Sequence, residues 1–469
     1  MANVLRRFFS AEYMLKPSQR TGEPIPTTKE VYKRHFDMTW PCAIESVLVS
    51  LIGSIDTMMV GGLGAGAIAA VGITNQPKFI LLAVIFSLNA GVTAVVARRK
   101  GQKDPEGANR CLRQAMIISM VLSIVLSCLG FIFAEPLLRF AGAGDDIIAD
   151  ATVYFQILVI GNVFMSQSLT INAAQRGAGN TKISMRTNIA ANIVNVVFNF
   201  LLINGIWFFP QLGVTGAAVA TALGNVVAWG MSVFSLFYKP KFLDIHNKVG
   251  WRFDRATTKA LVSVGGSAMV EQVFMRVGFF TYAKIVAELG TVAFATHQIC
   301  MNILNFSFSF SDGLNIATTS LVGQSLGAKR PDMAIVYGKT GQRMAFIVST
   351  VLCAIFLLGR NVLVGLFTTE TAVIELGGII MIIIAATTHI QTSQIVFSGC
   401  LRGSGDTKYI AVVSFWSIGI IRPCLSWVLC YPLGMGLVGA WLGLWGDQAL
   451  RLLLSWLRFR SGKWTKIVL

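Results

Sequence analysis

Long runs of apolar residues, separated by short polar stretches, fill the chain from residue 38 to residue 457. A helix needs about 20 mostly apolar residues to cross a bilayer, and only helices and closed barrels satisfy every backbone group there. Such runs predict twelve transmembrane helices. The first six cover 38–60, 67–97, 112–134, 149–172, 186–208 and 213–237. The second six cover 258–287, 293–325, 340–359, 371–399, 409–431 and 435–457.

The composition agrees with an all-α integral membrane protein. Hydrophobic residues make up 54% of the chain and charged residues only 13%, whereas a soluble domain carries about 25% charged residues. The eight cysteines form no CxxC pair and lie mostly in apolar runs. We therefore interpret them as reduced, buried side chains rather than as metal ligands, and we expect no cofactor.

The positions of the basic residues predict the topology. The even-numbered loops and the two tails, together with the first four residues of the spans that follow them, hold 32 of the 39 lysines and arginines, and the odd-numbered loops hold only Arg139 and Arg360. Cytoplasmic loops carry the excess of lysine and arginine, so both termini are predicted to be cytoplasmic. The net charge of +17 is explained by membrane orientation and by contact with the lipid bilayer, and we expect no nucleic-acid partner.

Two similar polar phrases indicate an internal duplication. NAAQRGAGNTK begins at residue 172 and GCLRGSGDTK at residue 399; their arginines, Arg176 and Arg402, are 402 − 176 = 226 residues apart. The same offset relates Gly101 to Gly327. Since each half contains six spans, both halves have the same orientation, which is the parallel type of repeat. We therefore predict two six-helix bundles around a central cavity, with each phrase forming a cytoplasmic turn.

The resulting domain organisation is a tail, a lobe, a linker, a second lobe and a second tail. We expect a monomer. The predicted bounds are 1–37 for the N-terminal tail, 38–237 for the N-lobe, 238–257 for the linker, 258–457 for the C-lobe and 458–469 for the C-terminal tail.

Several motifs resemble those of one transporter family. They are SIDTMMVGGLG at 54–64, ATHQI at 295–299, TTSLVGQSLGAKRP at 318–331 and the two RGxGxTK phrases. Together they resemble the multidrug and toxic-compound extrusion (MATE) transporters, most closely the bacterial DNA-damage-inducible (DinF-like) branch. The resemblance implies a secondary antiporter in the bacterial inner membrane that exports organic, mostly cationic compounds in exchange for H⁺ or Na⁺.

Asp56 is the first candidate for binding the coupling ion. A charged residue at bilayer depth costs about 2.5–3.5 kcal/mol on insertion scales, so it needs a reason. Asp56 also matches the family's VDT motif, which the resemblance assigns to the coupling cation or proton. Asn195 and Asn199 lie four residues apart on one helical face and match the family's N-lobe pattern, although some members have aspartate in place of Asn199. Thr221 completes the predicted cluster.

Lys78 places a positive charge inside the second predicted span. A lysine at this depth either pairs with a carboxylate or titrates. We expect a charge-compensated cluster of Lys78 with Asp56 or Glu45. Extension of its ammonium into the central cavity is the alternative.

The second half offers a second candidate site around Glu271, which matches the family's C-lobe glutamate. Some members use this glutamate with an aspartate to hold Na⁺, but Gln391 stands at that aspartate's position. Na⁺ therefore remains possible at Asp56 or Glu271, with fewer charged ligands at the latter. Asp312 and Arg422 are expected to provide cross-helix partners. The further polar candidates in this half are Arg276 and His297.

The sequence leaves three functions open. The first is cation-coupled export of small organic compounds, cationic or amphiphilic, with H⁺ as the preferred driver and Na⁺ as the second choice. The runner-up is a flippase for a lipid-linked or amphiphilic molecule. A membrane-embedded enzyme or a scaffold is remote, since no HExxH or P-loop motif is present.

Overall fold

The computed structural model of the chain describes residues 7–207, 209–237, 242–246, 250–251 and 253–467. Within these ranges the chain is helical and contains no strand, which confirms the predicted all-α fold class. Parts of the predicted linker, at 238–241, 247–249 and 252, lie outside the described residues.

Between Thr28 and Ser461, the described part of the chain forms twelve long helices and two short ones. The first seven are α1 (Thr28–Gly61), α2 (Ala65–Gly101), α3 (Pro105–Ile132), α4 (Ala134–Phe140), α5 (Ile148–Gly177), α6 (Thr181–Asn204) and α7 (Gly213–Phe237). The next seven are α8 (Arg255–Ala287), α9 (Thr291–Gly327), α10 (Pro331–Leu358), α11 (Arg360–Gly365), α12 (Thr371–Ser404), α13 (Thr407–Cys430) and α14 (Gly436–Ser461). The short helices α4 and α11 were not predicted.

Each predicted span corresponds to one long helix, and the largest difference is at the start of α1. This helix begins at Thr28, ten residues before the predicted span, because its polar first turns precede the apolar run. Both α1 and α2 continue through an internal proline, Pro41 and Pro77 respectively. Among the described residues, nine of the long helices meet a length and hydropathy criterion for crossing a membrane. The remaining three, α8, α9 and α14, do not meet it.

The helices form two compact units. The N-unit consists of Ile44–Gly266, and the C-unit consists of Met1–Ala43 together with Ser267–Leu469. The division therefore passes through α1 and α8 rather than through loops, so that each of these helices begins in one unit and ends in the other.

One helix organises each unit. In the N-unit, α5 packs against α2, α3 and α7. In the C-unit, α12 packs against α9, α10 and α14. The N-terminal segment also belongs to the C-unit, where Met14 and Leu15 are buried in an apolar cluster with Trp464.

The repeated polar phrase uses its two glycines differently. Gly179 and Gly405 both have a φ of 90°, a left-handed conformation that glycine adopts without strain, and they form the turn. Gly177 lies instead at a helix contact, where an added Cβ would approach the Thr93 carbonyl oxygen to 2.7 Å. In the second phrase a Cβ on Gly403 would approach the Thr319 carbonyl oxygen to 2.3 Å. The first glycine of each phrase therefore allows close packing of α5 on α2 or of α12 on α9.

Candidate coupling site

Asp56 lies in the N-unit near the end of α1 and is half-buried. The side-chain amide of Asn199, on α6, donates a hydrogen bond of 2.6 Å to Asp56 Oδ1. Asn199 is 1% exposed, so this bond lies in a shielded environment. The carboxylate is thus held by a side chain on a second helix.

Asn195 lies one helical turn before Asn199 and faces the same carboxylate. When its side-chain nitrogen is turned toward Asp56, it donates to Oδ1 over 2.8 Å. Its oxygen then accepts from the Thr221 hydroxyl over 3.2 Å. This orientation satisfies both ends of the amide, because the opposite one directs the oxygen toward an acceptor. The structure therefore brings together all four residues of the predicted N-lobe cluster.

Lys78 on α2 belongs to the same region of the N-unit. It is half-buried and lines a narrow pocket together with Asn162, Thr221 and Asn225. Its charge interacts electrostatically with Asp56, although among the described residues it makes no ion pair within 4.0 Å. Asp56 is thus the acid whose charge Lys78 senses across a gap.

Glu45 does not take part in this cluster, so the alternative that Lys78 pairs with Glu45 is wrong. Glu45 Oε1 instead contacts Arg176 Nη1 over 3.2 Å. The same oxygen accepts hydrogen bonds from Ser184 over 2.9 Å and from Asn188 over 2.7 Å. The physical reason is that Arg176, in the last turn of α5, supplies a fixed cation directly at this carboxylate.

The C-unit contains the equivalent ion pair. Arg402 Nη2 donates to Glu271 Oε1 over 2.6 Å. Both partners match the first pair at the repeat offset, since 271 − 45 = 226 and 402 − 176 = 226. The arginine of each repeated phrase therefore contacts a glutamate inside α1 or α8, a role that a cytoplasmic turn alone does not explain.

Arg422 contacts a neighbouring helix, as expected. It binds Asp447 on α14, with 3.0 Å between Nε and Oδ2. Arg451 also contacts Asp447 Oδ2, over 3.3 Å. Asp447 is completely buried and Arg422 is 1% exposed, so a buried carboxylate in the C-unit is shared by two guanidinium groups. Arg422 directly follows a π-helical stretch of α13, Phe415–Ile421.

The other C-unit candidates are dispersed. Asp312 is exposed and interacts electrostatically with Arg402. His297 is buried, with its ring centroid 5.6 Å from that of Trp441. Gln391 is completely buried and, within the described ranges, neither of its amide atoms makes a hydrogen bond. Arg276 on α8 is half-buried.

Four charged residues of these ion pairs were missed by the sequence reasoning. Arg176 and Arg402 were assigned to turns, and Asp447 and Arg451 were not considered as a pair. Two signals were present. The repeat offset relates both glutamates and both arginines, and Asp447 and Arg451 are four residues apart on one helix.

In the part of the chain that the structure describes, no group of three or more metal-ligating side chains occurs.

Comparison with known protein families gives a match that covers most of the chain. The MatE family model matches residues 41–201 and again residues 267–428. The two matches begin 267 − 41 = 226 residues apart, which is the offset of the sequence repeat. The duplication is thus seen by the family comparison as well.

Curated relatives and solved structures agree with this match. A "probable multidrug resistance protein NorM" of Thermotoga maritima is 26% identical over 454 residues, which covers 97% of both chains. An uncharacterized transporter of Bacillus subtilis, YisQ, is 26% identical over 92% of this chain and 94% of the relative.

The solved structures show the same fold at lower identity. An outward-facing MATE transporter of the MOP superfamily superposes with a TM-score of 0.86 at 21% identity, over 92% of this chain and 95% of the other. A MOP superfamily transporter from Pyrococcus furiosus gives a TM-score of 0.87 at 21% identity, over 93% and 97%. These proteins are multi-pass membrane transporters and not enzymes. The chain therefore belongs to the MATE family of membrane transporters.

Proposed function

We propose that the protein is a secondary antiporter of the bacterial plasma membrane that exports small organic compounds, cationic or amphiphilic, in exchange for H⁺. The observation that carries the proposal is the arrangement around Asp56. An acid is placed in a membrane-spanning helix, where a charge needs a functional or structural reason. It is held by Asn199 and faces Asn195.

A single shielded carboxylate can bind either a proton or an organic cation. A proton neutralises it, and its loss restores a negative charge that attracts an organic cation. Antiport requires this mutual exclusion, because the transporter must bind either the proton or the substrate, but not both at once. The names of the NorM relatives, which refer to multidrug resistance, support organic compounds as cargo. Alternating exposure of the two sides would turn the exchange into transport.

The orientation of the chain completes the proposal. The excess of lysine and arginine in the tails and even-numbered loops supports cytoplasmic termini. Exchange of one proton for one singly charged organic cation moves no net charge, so the pH gradient drives it. Each pH unit supplies about 1.4 kcal/mol, enough for a tenfold concentration gradient.

The test is a flux assay in proteoliposomes with the pH gradient and the Na⁺ gradient imposed separately. We expect uptake of a lipophilic organic cation, tetraphenylphosphonium, to follow the pH gradient. Asp56→Asn is expected to abolish this uptake, and the matched control Asp146→Asn, in an exposed loop, is expected to retain it. Normal uptake by Asp56→Asn would contradict the proposal.

A further inference from the structure

Lys78 is a charged side chain with no role in the exchange proposed for Asp56. It lies 78 − 65 = 13 residues from the start of α2, about 20 Å along the helix at 1.5 Å per residue. At this depth an unneeded positive charge is costly. Its pocket contains three polar neighbours but no acid, namely Asn162, Thr221 and Asn225. One of these neighbours, Thr221, also contacts Asn195, which faces Asp56. Asp56 is the acid that interacts electrostatically with Lys78.

The groups around Asp56 present hydrogen-bond donors to it. The nitrogen of Asn199 donates to the carboxylate, and the nitrogen of Asn195 does so in the orientation that satisfies both ends of its amide. The other groups that sense its charge are Lys78 on α2 and Tyr154 on α5. The carboxylate therefore accepts hydrogen bonds from two asparagine amides and interacts electrostatically with Lys78.

This arrangement is unfavourable for Na⁺. A hard cation needs several oxygen ligands, but at Asp56 both asparagine oxygens are directed away from the carboxylate in the orientation described. A positive charge within electrostatic reach adds repulsion. A proton needs no such shell, because it forms a single O–H bond with a carboxylate oxygen and removes the negative charge. The two asparagine amides would have to rotate before their oxygens could bind Na⁺ at Asp56. The positive charge of Lys78 repels Na⁺ and therefore disfavours this rearrangement.

We propose that Lys78 is a built-in counter-cation that excludes Na⁺ from Asp56 and leaves H⁺ as the coupling ion. The inference rests on the proposed function in taking Asp56 as the coupling group. When Asp56 is ionised, Lys78 offsets part of its charge in place of an inorganic cation. An organic cation needs no shell of oxygen ligands and still binds beside the carboxylate. When Asp56 takes up a proton, the carboxylate becomes a carboxylic acid and Lys78 retains the net positive charge of the pair. Lys78 thus determines which coupling ion binds at Asp56, and it binds neither the coupling ion nor the substrate itself.

The experiment measures binding of radioactive Na⁺ to purified protein in detergent. The wild type and the charge-preserving control Lys78→Arg are expected to show no saturable Na⁺ binding that depends on Asp56. Lys78→Met and Lys78→Gln are expected to bind Na⁺ saturably, at least about tenfold more tightly than the upper limit measured for the wild type, since one repelling charge has been removed from a shielded site. The double variant Lys78→Met with Asp56→Asn is expected to lose this binding.

Two outcomes overturn the proposal. One is Na⁺ binding by the wild type that Asp56→Asn removes. This measurement does not depend on whether the Lys78 variants fold. The other is binding by monodisperse Lys78→Met and Lys78→Gln that is no tighter than in wild type. A merely structural role for Lys78 would not change cation selectivity. Because the assay measures no transport, its failure is distinct from that of the proposed function, which appears as normal uptake by Asp56→Asn.

Discussion

Neutralising Asp447 should destabilise the C-unit strongly. Asp447→Asn keeps the size and shape of the side chain but removes the only carboxylate that contacts both Arg422 and Arg451 among the described residues. Asp447 is completely buried and Arg422 is 1% exposed. The substitution therefore leaves two guanidinium groups in the C-unit interior without their counter-ion.

The magnitude follows from the geometry. At 3.0 Å and an effective dielectric constant of about 20, one charge pair attracts by about 5 kcal/mol. The cost of dehydrating the ions offsets part of this attraction, so the net value of the intact cluster is small. Removing one partner alone leaves the desolvation cost without the attraction and destabilises by about 3–5 kcal/mol. We expect a loss in that range for Asp447→Asn.

The assay is thermal unfolding of purified protein in detergent, followed by the loss of monodisperse protein on gel filtration. The exposed Asp146→Asn is the control and should change stability by less than about 0.5 kcal/mol. The triple variant Asp447→Leu, Arg422→Met and Arg451→Met removes every charge of the cluster and should recover most of the lost stability. An Asp447→Asn protein as stable as wild type would refute the reasoning.

Two further predictions concern the internal repeat. Gly403→Ala should destabilise by about 1–3 kcal/mol, because its Cβ would lie 2.3 Å from the Thr319 carbonyl oxygen, whereas Gly230→Ala, with nothing within 4 Å, should be neutral or slightly stabilising in the same unfolding assay. A double-mutant cycle of Glu45→Gln and Arg176→Gln should give a coupling energy of about 0.5–3 kcal/mol, and the cycle of Glu271→Gln and Arg402→Gln should give a similar value. Coupling near zero in both cycles, or equal stability of the two glycine variants, would contradict the contacts described.

The spans were predictable because the bilayer imposes a simple rule. Every backbone group must be satisfied within the segment, so about 20 apolar residues in a row indicate a helix. The rule fails at the ends, where polar turns continue the helix. The start of α1 at Thr28 is therefore not visible in the apolar pattern. The boundary between the units, which falls within α1 and α8, leaves no sign in loop composition.

The site was predictable only in part. Asp56, Asn195 and Asn199 were found from a motif and from helical spacing, and the structure places them together. The partner of Glu271 was not found, because Arg402 was explained by the topology rule for basic loop residues. That rule places the arginine near the cytoplasmic end of a helix but does not say that its side chain reaches a neighbouring helix. The direction of the asparagine amides depends on hydrogen bonds between helices, which no spacing in the sequence reveals.

The most direct test of coupling at Asp56 is the release of protons when substrate binds. Purified protein in weakly buffered detergent solution is mixed with tetraphenylphosphonium, and the pH change is recorded with wild type and with Asp56→Asn. If proton and substrate exclude each other at one carboxylate, their binding is reciprocally linked. We predict release of up to about one proton for each molecule bound by the wild type, and none from Asp56→Asn. Equal release by both proteins, or binding to the wild type without release across the pH range, would contradict the account.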